Sequence, residues 1–189
     1  MKKISLLALT LMSGIILFAQ TATFGIKGGL NVASLSNIQG GSSRLGYHAG
    51  FLLHVHATPQ FAVQPEFLYS SQGAKYTTSN AEHNLDLGYL NVPVLLQYMA
   101  GSGFRLETGP QLGFLVNVDD KLNGTSTGFF SSSDFKKTDV SWAIGAGYEG
   151  RSGLGIDARY NLGLSNINNY GTTTIHNNVF QVGLFYMLK

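Results

Sequence analysis

Across most of this chain apolar side chains recur at every second residue, and the residues between them are glycines, amides and a few charges of both signs. A period of two puts successive side chains on opposite faces of an extended strand, so the pattern points away from helices. Eight strands are read: Thr23–Ser34, Arg44–His56, Gln60–Ser71, Asp86–Tyr98, Phe104–Val118, Thr138–Gly150, Leu154–Leu164 and Ile175–Leu188. In the first, Phe24, Ile26, Leu30 and Val32 oppose Gly25, Lys27, Gly29 and Asn31. In the fifth, Phe104, Leu106, Leu112, Phe114 and Val116 oppose Arg105, Glu107, Gly109, Gln111 and Gly113. The second, sixth and seventh strands divide in the same way.

Alternation alone does not say whether the apolar face meets lipid or a soluble core; the other face decides. The outside of a soluble barrel would carry many Lys and Glu and few glycines. Here charged residues are 12% of the chain, about half the ~25% of an ordinary soluble domain. Inside a narrow barrel, by contrast, missing side chains make room and opposed charges can pair across the lumen. Eight strands leave an interior just wide enough for side chains to fill. Beyond the N-terminal segment no run approaches the ~18 apolar residues of a membrane helix. The expected fold is all-β, an eight-stranded antiparallel up-and-down transmembrane β-barrel.

The connections agree. Ala57–Pro59, Met99–Gly103 and Arg151–Gly153 are short, whereas Leu35–Ser43, Gln72–Leu85, Asp119–Lys137 and Ser165–Thr174 are longer and rich in Ser, Asn, Gly and Thr. Alternating long and short connections are those of a membrane barrel with tight periplasmic turns and larger external loops. Phe24, Phe61, Tyr98, Phe104, Tyr148 and Tyr186 fall at the strand ends assigned to the periplasmic side, forming an aromatic girdle where headgroups meet hydrocarbon. Tyr47, Tyr69 and Trp142 make a looser ring toward the other end.

Residues 1–19 read as a signal peptide and 20–189 as the barrel domain. Lys2 and Lys3 form a positive start, Ile4 to Phe18 an apolar stretch, and Ala19 a small residue at a cleavage point. Removing those two lysines brings the twelve Lys and Arg down to ten, against ten Asp and Glu. A neutral mature chain is no general nucleic-acid binder. With no Cys it can be neither a lipoprotein nor a disulfide-stapled domain.

The runs FAVQPEFLYSSQGAKY (Phe61–Tyr76), YLNVPVLLQY (Tyr89–Tyr98), ETGPQLGFLV (Glu107–Val116) and ARYNLGLSNI (Ala158–Ile167) resemble porin-family, PorT-like outer-membrane β-barrels of the Bacteroidetes type. The resemblance covers nearly all of the mature chain. It implies a location in the cell outer membrane and little about activity. One departure is the C-terminus, Tyr186-Met187-Leu188-Lys189, where such barrels often end on an aromatic read during assembly.

Several constellations could carry chemistry. Lys27, Glu66, Arg105, Glu107, Asp139, Glu149, Asp157 and Arg159 are expected inside, as a hydrogen-bonded plug rather than a gated pore, because buried charges must pair. His54 and His56 share a strand face at a spacing that could hold a metal, with His48 further along, but the expectation is wet polar groups and no metal. Gly25, Gly28 and Gly29 precede no helix and make no phosphate loop. The Asp119–Lys137 loop carries Asp119, Asp120, Lys121, Phe129, Phe130, Asp134, Lys136 and Lys137, without the spacing of a calcium loop. Glu82, His83 and Ser71 are the only candidates for rim catalysis and lack a distinguishing context. No cofactor and no enzymatic activity are expected. The expected partners are outer-membrane lipids, the assembly machinery during insertion, and an extracellular or envelope protein reached through the loops. The expected role is structural or interactive, with a narrow ion or solute channel and a lipid-modifying enzyme as the alternatives.

Overall fold

The computed structural model describes residues 22–78, 81–122 and 124–188. The expected signal peptide and its cleavage point lie outside the described residues. The strands are β1 (Ala22–Leu35), β2 (Arg44–His56), β3 (Phe61–Thr78), β4 (Ala81–Met99), β5 (Phe104–Leu122), β6 (Thr125–Ser126), β7 (Thr138–Glu149), β8 (Leu154–Gly163) and β9 (Asn177–Leu188). Each pairs antiparallel with its neighbour in the chain, except that β7 passes β6 and pairs with β5. The first strand also pairs with the last, from Phe24↔Leu188 to Leu35↔Asn177. That pairing closes eight strands into a ring, and β6 is a two-residue flap on β5. Closure leaves no open edge around the ring, which a sheet in lipid requires.

The side-chain faces divide as their chemistry demands. Phe24, Leu30 and Phe51 stand outward with 63–65% of their surface exposed, while Lys27, Asn31, Glu66, Arg105 and Arg159 are buried inside. Glycines on the inner face let chains and side chains approach. A Cβ on Gly50 would lie 2.0 Å from the Phe67 carbonyl oxygen, and one on Gly155 would lie 2.1 Å from the Phe185 ring.

At the short-turn end, the turn before β5 uses Gly101, Ser102 and Gly103, all at positive φ. Phe61 pairs with Tyr98 at a ring separation of 5.4 Å, and Phe104 pairs with Tyr148, so four girdle aromatics lie on neighbouring strands. Tyr186 lies between Ile26 and Leu154, and Phe24 beside Leu188 and Leu53. Toward the other end Tyr47 and Tyr69 lie 6.0 Å apart, and the Trp142 indole donates to Thr108 Oγ1.

The long-loop end departs from expectation. Gln72–Leu85 is not a loop: β3 and β4 run on to pair Thr78 with Ala81. β5 likewise continues to Leu122, opposite His83. The alternation persists there with its sense inverted. Ala74, Tyr76, Leu85 and Leu87 are buried within, whereas Lys75, Thr77, Glu82 and Asn84 are the polar residues between them. A pattern of apolar-in and polar-out is that of strands in water, so the inversion marks where lipid contact stops. The paired segment beyond Tyr69 spans nine residues to Thr78, a reach of about 30 Å at ~3.4 Å per residue.

Gly50→Ala is expected to destabilise the refolded barrel by about 1–3 kcal/mol, because β2 and β3 must separate to admit the methyl group. Urea unfolding followed through Trp142, the single tryptophan, checks it.

Candidate functional site

The lumen is organised in layers. At its centre lies an ionic cluster drawn from four strands. Arg159 on β8 is fully buried and binds Glu66 on β3 through both terminal nitrogens, Nη1 to Oε2 at 2.9 Å and Nη2 to Oε1 at 2.8 Å. Its Nε donates to Glu107 Oε1 on β5 at 2.8 Å. Lys27 on β1 lies 2.6 Å from Asp157 on β8 and 3.8 Å from Glu66. In the ring order β1-β2-β3-β4-β5-β7-β8-β9, strands β3 and β8 are diametrically opposite. The Arg159–Glu66 pair therefore crosses the full width of the barrel. Gln64 and Gln97 complete the acceptors, donating to Glu66 at 2.8 Å and Glu107 at 2.9 Å. A forked guanidinium against a carboxylate is the geometry in which a buried pair repays its desolvation best.

Three other expected lumen charges sit apart from this cluster. Arg105 binds Glu149 toward the turn end, and its guanidinium lies 4.5 Å over the Phe185 ring. Phe185 packs with Leu52 and Met187 into a small apolar stopper below the ions. Asp139 lies toward the loop end and accepts from Ser165 at 2.7 Å and Asn177 at 3.1 Å. Between Asp139 and the ions an amide layer crosses the lumen. Asn31 accepts from Gln181, at 3.0 Å, and donates to Ser70, at 2.9 Å. His48 reaches Asn31 at 2.7 Å. His48 and His54 are 1% and 2% exposed, so the expectation of wet residues is corrected for both: their strand positions point them into the barrel.

Above these polar layers the mouth is capped by an apolar cluster of Leu35, Tyr76, Leu85, Leu87, Tyr89, Phe135 and Ile167. Asp120 is the polar hub of this end. It is 1% exposed and accepts from Tyr76 Oη at 3.1 Å, His83 Nδ1 at 3.0 Å and Thr127 Oγ1 at 2.7 Å. Burial and then the bond to Asp120 push the Tyr76 phenol up, which keeps it a donor. Tyr76 stacks on His83, and Phe130 meets Tyr76 edge-on. The Asp119–Lys137 loop is thereby folded over the mouth, shaping a hollow of about 230 Å³ lined by Ile38, Tyr76, Phe129, Phe130, Phe135 and Tyr170 among others. Phe129 and Tyr170 stand 65% and 60% exposed at its edge. The rim candidates do not assemble: His83 faces Asp120, whereas Ser71 is bound to Arg44 and Asp86, and Glu82 to Lys75. Asp119 and Asp120 face different partners, Asp119 pairing with Lys121 and Ser126.

Residues 18–169 match the family described as outer membrane protein beta-barrel domain. Among solved structures, Neisserial surface protein A (NspA) superposes with a TM-score of 0.59 at 14% identity, over 87% of this chain and 97% of that one. Ail, the attachment invasion locus protein of Yersinia pestis, gives a TM-score of 0.52 at 13% identity, over 89% and 99%. At these identities the likeness is one of fold. No curated protein matches the sequence.

Arg159→Ala is expected to cost about 3–5 kcal/mol in unfolding free energy, because it strands Glu66 and Glu107 in the lumen. Adding Glu66→Gln and Glu107→Gln should restore more than half of that loss. Urea denaturation of the three refolded proteins measures the coupling.

Proposed function

Because this chain belongs to the outer membrane protein beta-barrel domain family, we propose that it is a closed, non-enzymatic outer-membrane barrel that acts through its external face. Its place within the family is the PorT-like group that its sequence runs resemble. The observation that carries the reading is the Arg159–Glu66 fork spanning the lumen between opposite strands. An ion or solute would have to break it, and would also meet Phe185, Leu52 and Met187 below it and the apolar cap above. The interior is committed to holding the barrel together, which leaves the raised hairpin and the aromatic hollow as the surfaces free to act. Exposed Phe129 and Tyr170 beside a folded loop suit contact with a protein on the outer side, since aromatic rings anchor interfaces at low entropic cost. Outer-membrane lipids cover the belt, and the assembly machinery engages the chain during insertion.

In planar bilayers the wild-type protein is expected to be silent. Conductance steps from the wild type would overturn the plug and favour the channel reading. Cross-linking in intact cells tests the external role: Phe129→Ser with Phe130→Ser should lower the yield of the cross-linked partner by about tenfold or more while leaving the barrel inserted. An unchanged yield would remove the hollow from the interface.

A further inference from the structure

We propose that the periplasmic end of the barrel carries a divalent transition-metal site built on His54 and His56 of β2. The two residues are two positions apart, on the same inner face of the strand, and their Nε2 atoms lie 3.4 Å from one another. Two imidazole nitrogens bound to one tetrahedral metal at ~2.05 Å are held about 3.4 Å apart, so the pair already has the span of a chelate. The rings meet edge to face at 80° with centroids 4.5 Å apart, and neither needs to cross the barrel to share an ion.

The tautomer of His54 follows from the ionic layer above it. Glu66 is held by Arg159 and Lys27 and acts as an acceptor. Gln64 therefore presents its NH₂ to Glu66, at 2.8 Å, and this turns its carbonyl oxygen toward His54. That oxygen can only accept, so His54 Nδ1, 3.2 Å away, carries the ring proton. In neutral His54 the lone pair is then on Nε2, directed at His56. A carboxylate, backbone carbonyl or water usually orients a ligating imidazole through its other nitrogen, and here the Gln64 side-chain carbonyl takes that place. Here the support runs back through Gln64 to the lumen charges.

Room is present. Both histidines line a cavity of about 500 Å³ together with Met99, Tyr148, Glu149 and Arg151, and Glu149 is already paired with Arg105. Among the described residues no group of three or more His, Cys, Asp or Glu gathers for a metal. The protein thus supplies two nitrogens, and water fills the remaining positions in the cavity. Two imidazoles favour Cu²⁺, Zn²⁺ and Ni²⁺ over Mg²⁺ and Ca²⁺, and the two-ligand set makes the site open and exchangeable. The competing account of the same geometry is a hydrogen bond from His56 Nε2–H to His54 Nε2. A metal would replace it, with the His56 proton moving to its own Nδ1.

The test is titration calorimetry of the full chain refolded in detergent, with Zn²⁺, Cu²⁺ and Ni²⁺ salts in turn. Wild type is expected to bind one equivalent, with Cu²⁺ tightest. His56→Ala, at the exposed rim, should weaken binding at least about tenfold while the protein keeps its folded mobility on a heat-modifiability gel. His83→Ala, at the opposite end, should leave binding unchanged. Absence of saturable binding by wild type, binding untouched by His56→Ala, or equal loss in His83→Ala would each overturn the site.

Discussion

Arg159 is a permanently charged group with no exposed surface, and the rest of the interior is arranged around that fact. A guanidinium buried alone would be prohibitive. Glu66 and Glu107 face it from two other strands, and Lys27, placed between Glu66 and Asp157, adds a second cation to the three carboxylates. The backbone ladders bind each strand only to its neighbours around the ring. The ionic cluster supplies the missing radial ties, joining strands that share no ladder. Position and charge are linked in this way from one wall to the other. The lumen glycines belong to the same arrangement, because long charged side chains fit only where other positions carry none.

How much of this was legible in the sequence depends on the range of the interaction. The faces of each strand and the short turns rest on period-two alternation and local turn chemistry, and they could be read directly. The partner of a given lumen charge could not, since Arg159 and Glu66 are 93 residues apart and meet across the axis. The upper halves of β3 and β4 were missed for a different reason. Their alternation is intact, but a search for apolar-out strands reads apolar-in strands as loop. Tyr76, Leu85 and Leu87 carried the signal, in reversed phase. Asp120 was visible only as one of two adjacent acids; its hub depends on Thr127, Tyr76 and His83 arriving from three segments.

The two ends of the barrel are closed by different means. Below the ions, Arg105 over Phe185 joins charge to an apolar stopper, so a single ring serves both layers. Above the amides, an apolar cap is built mainly from the extended hairpin and the folded-over loop. An apolar cap beneath water is a soluble-protein core in miniature, and its stability comes from burial rather than from the bilayer. The external part of the molecule is thus held by a water-facing apolar core continuous with its membrane-bound base.

The extended hairpin turns that base into a mast. Under the proposed function, a partner approaching the cell would meet a surface held above the lipid on paired strands instead of a slack tether. Contact then requires little ordering of the surface, and lateral drift of the barrel carries the surface with it unchanged. Shortening β3 and β4 by matched pairs would draw the platform back along the strands in steps of about 7 Å for every two residues removed from each.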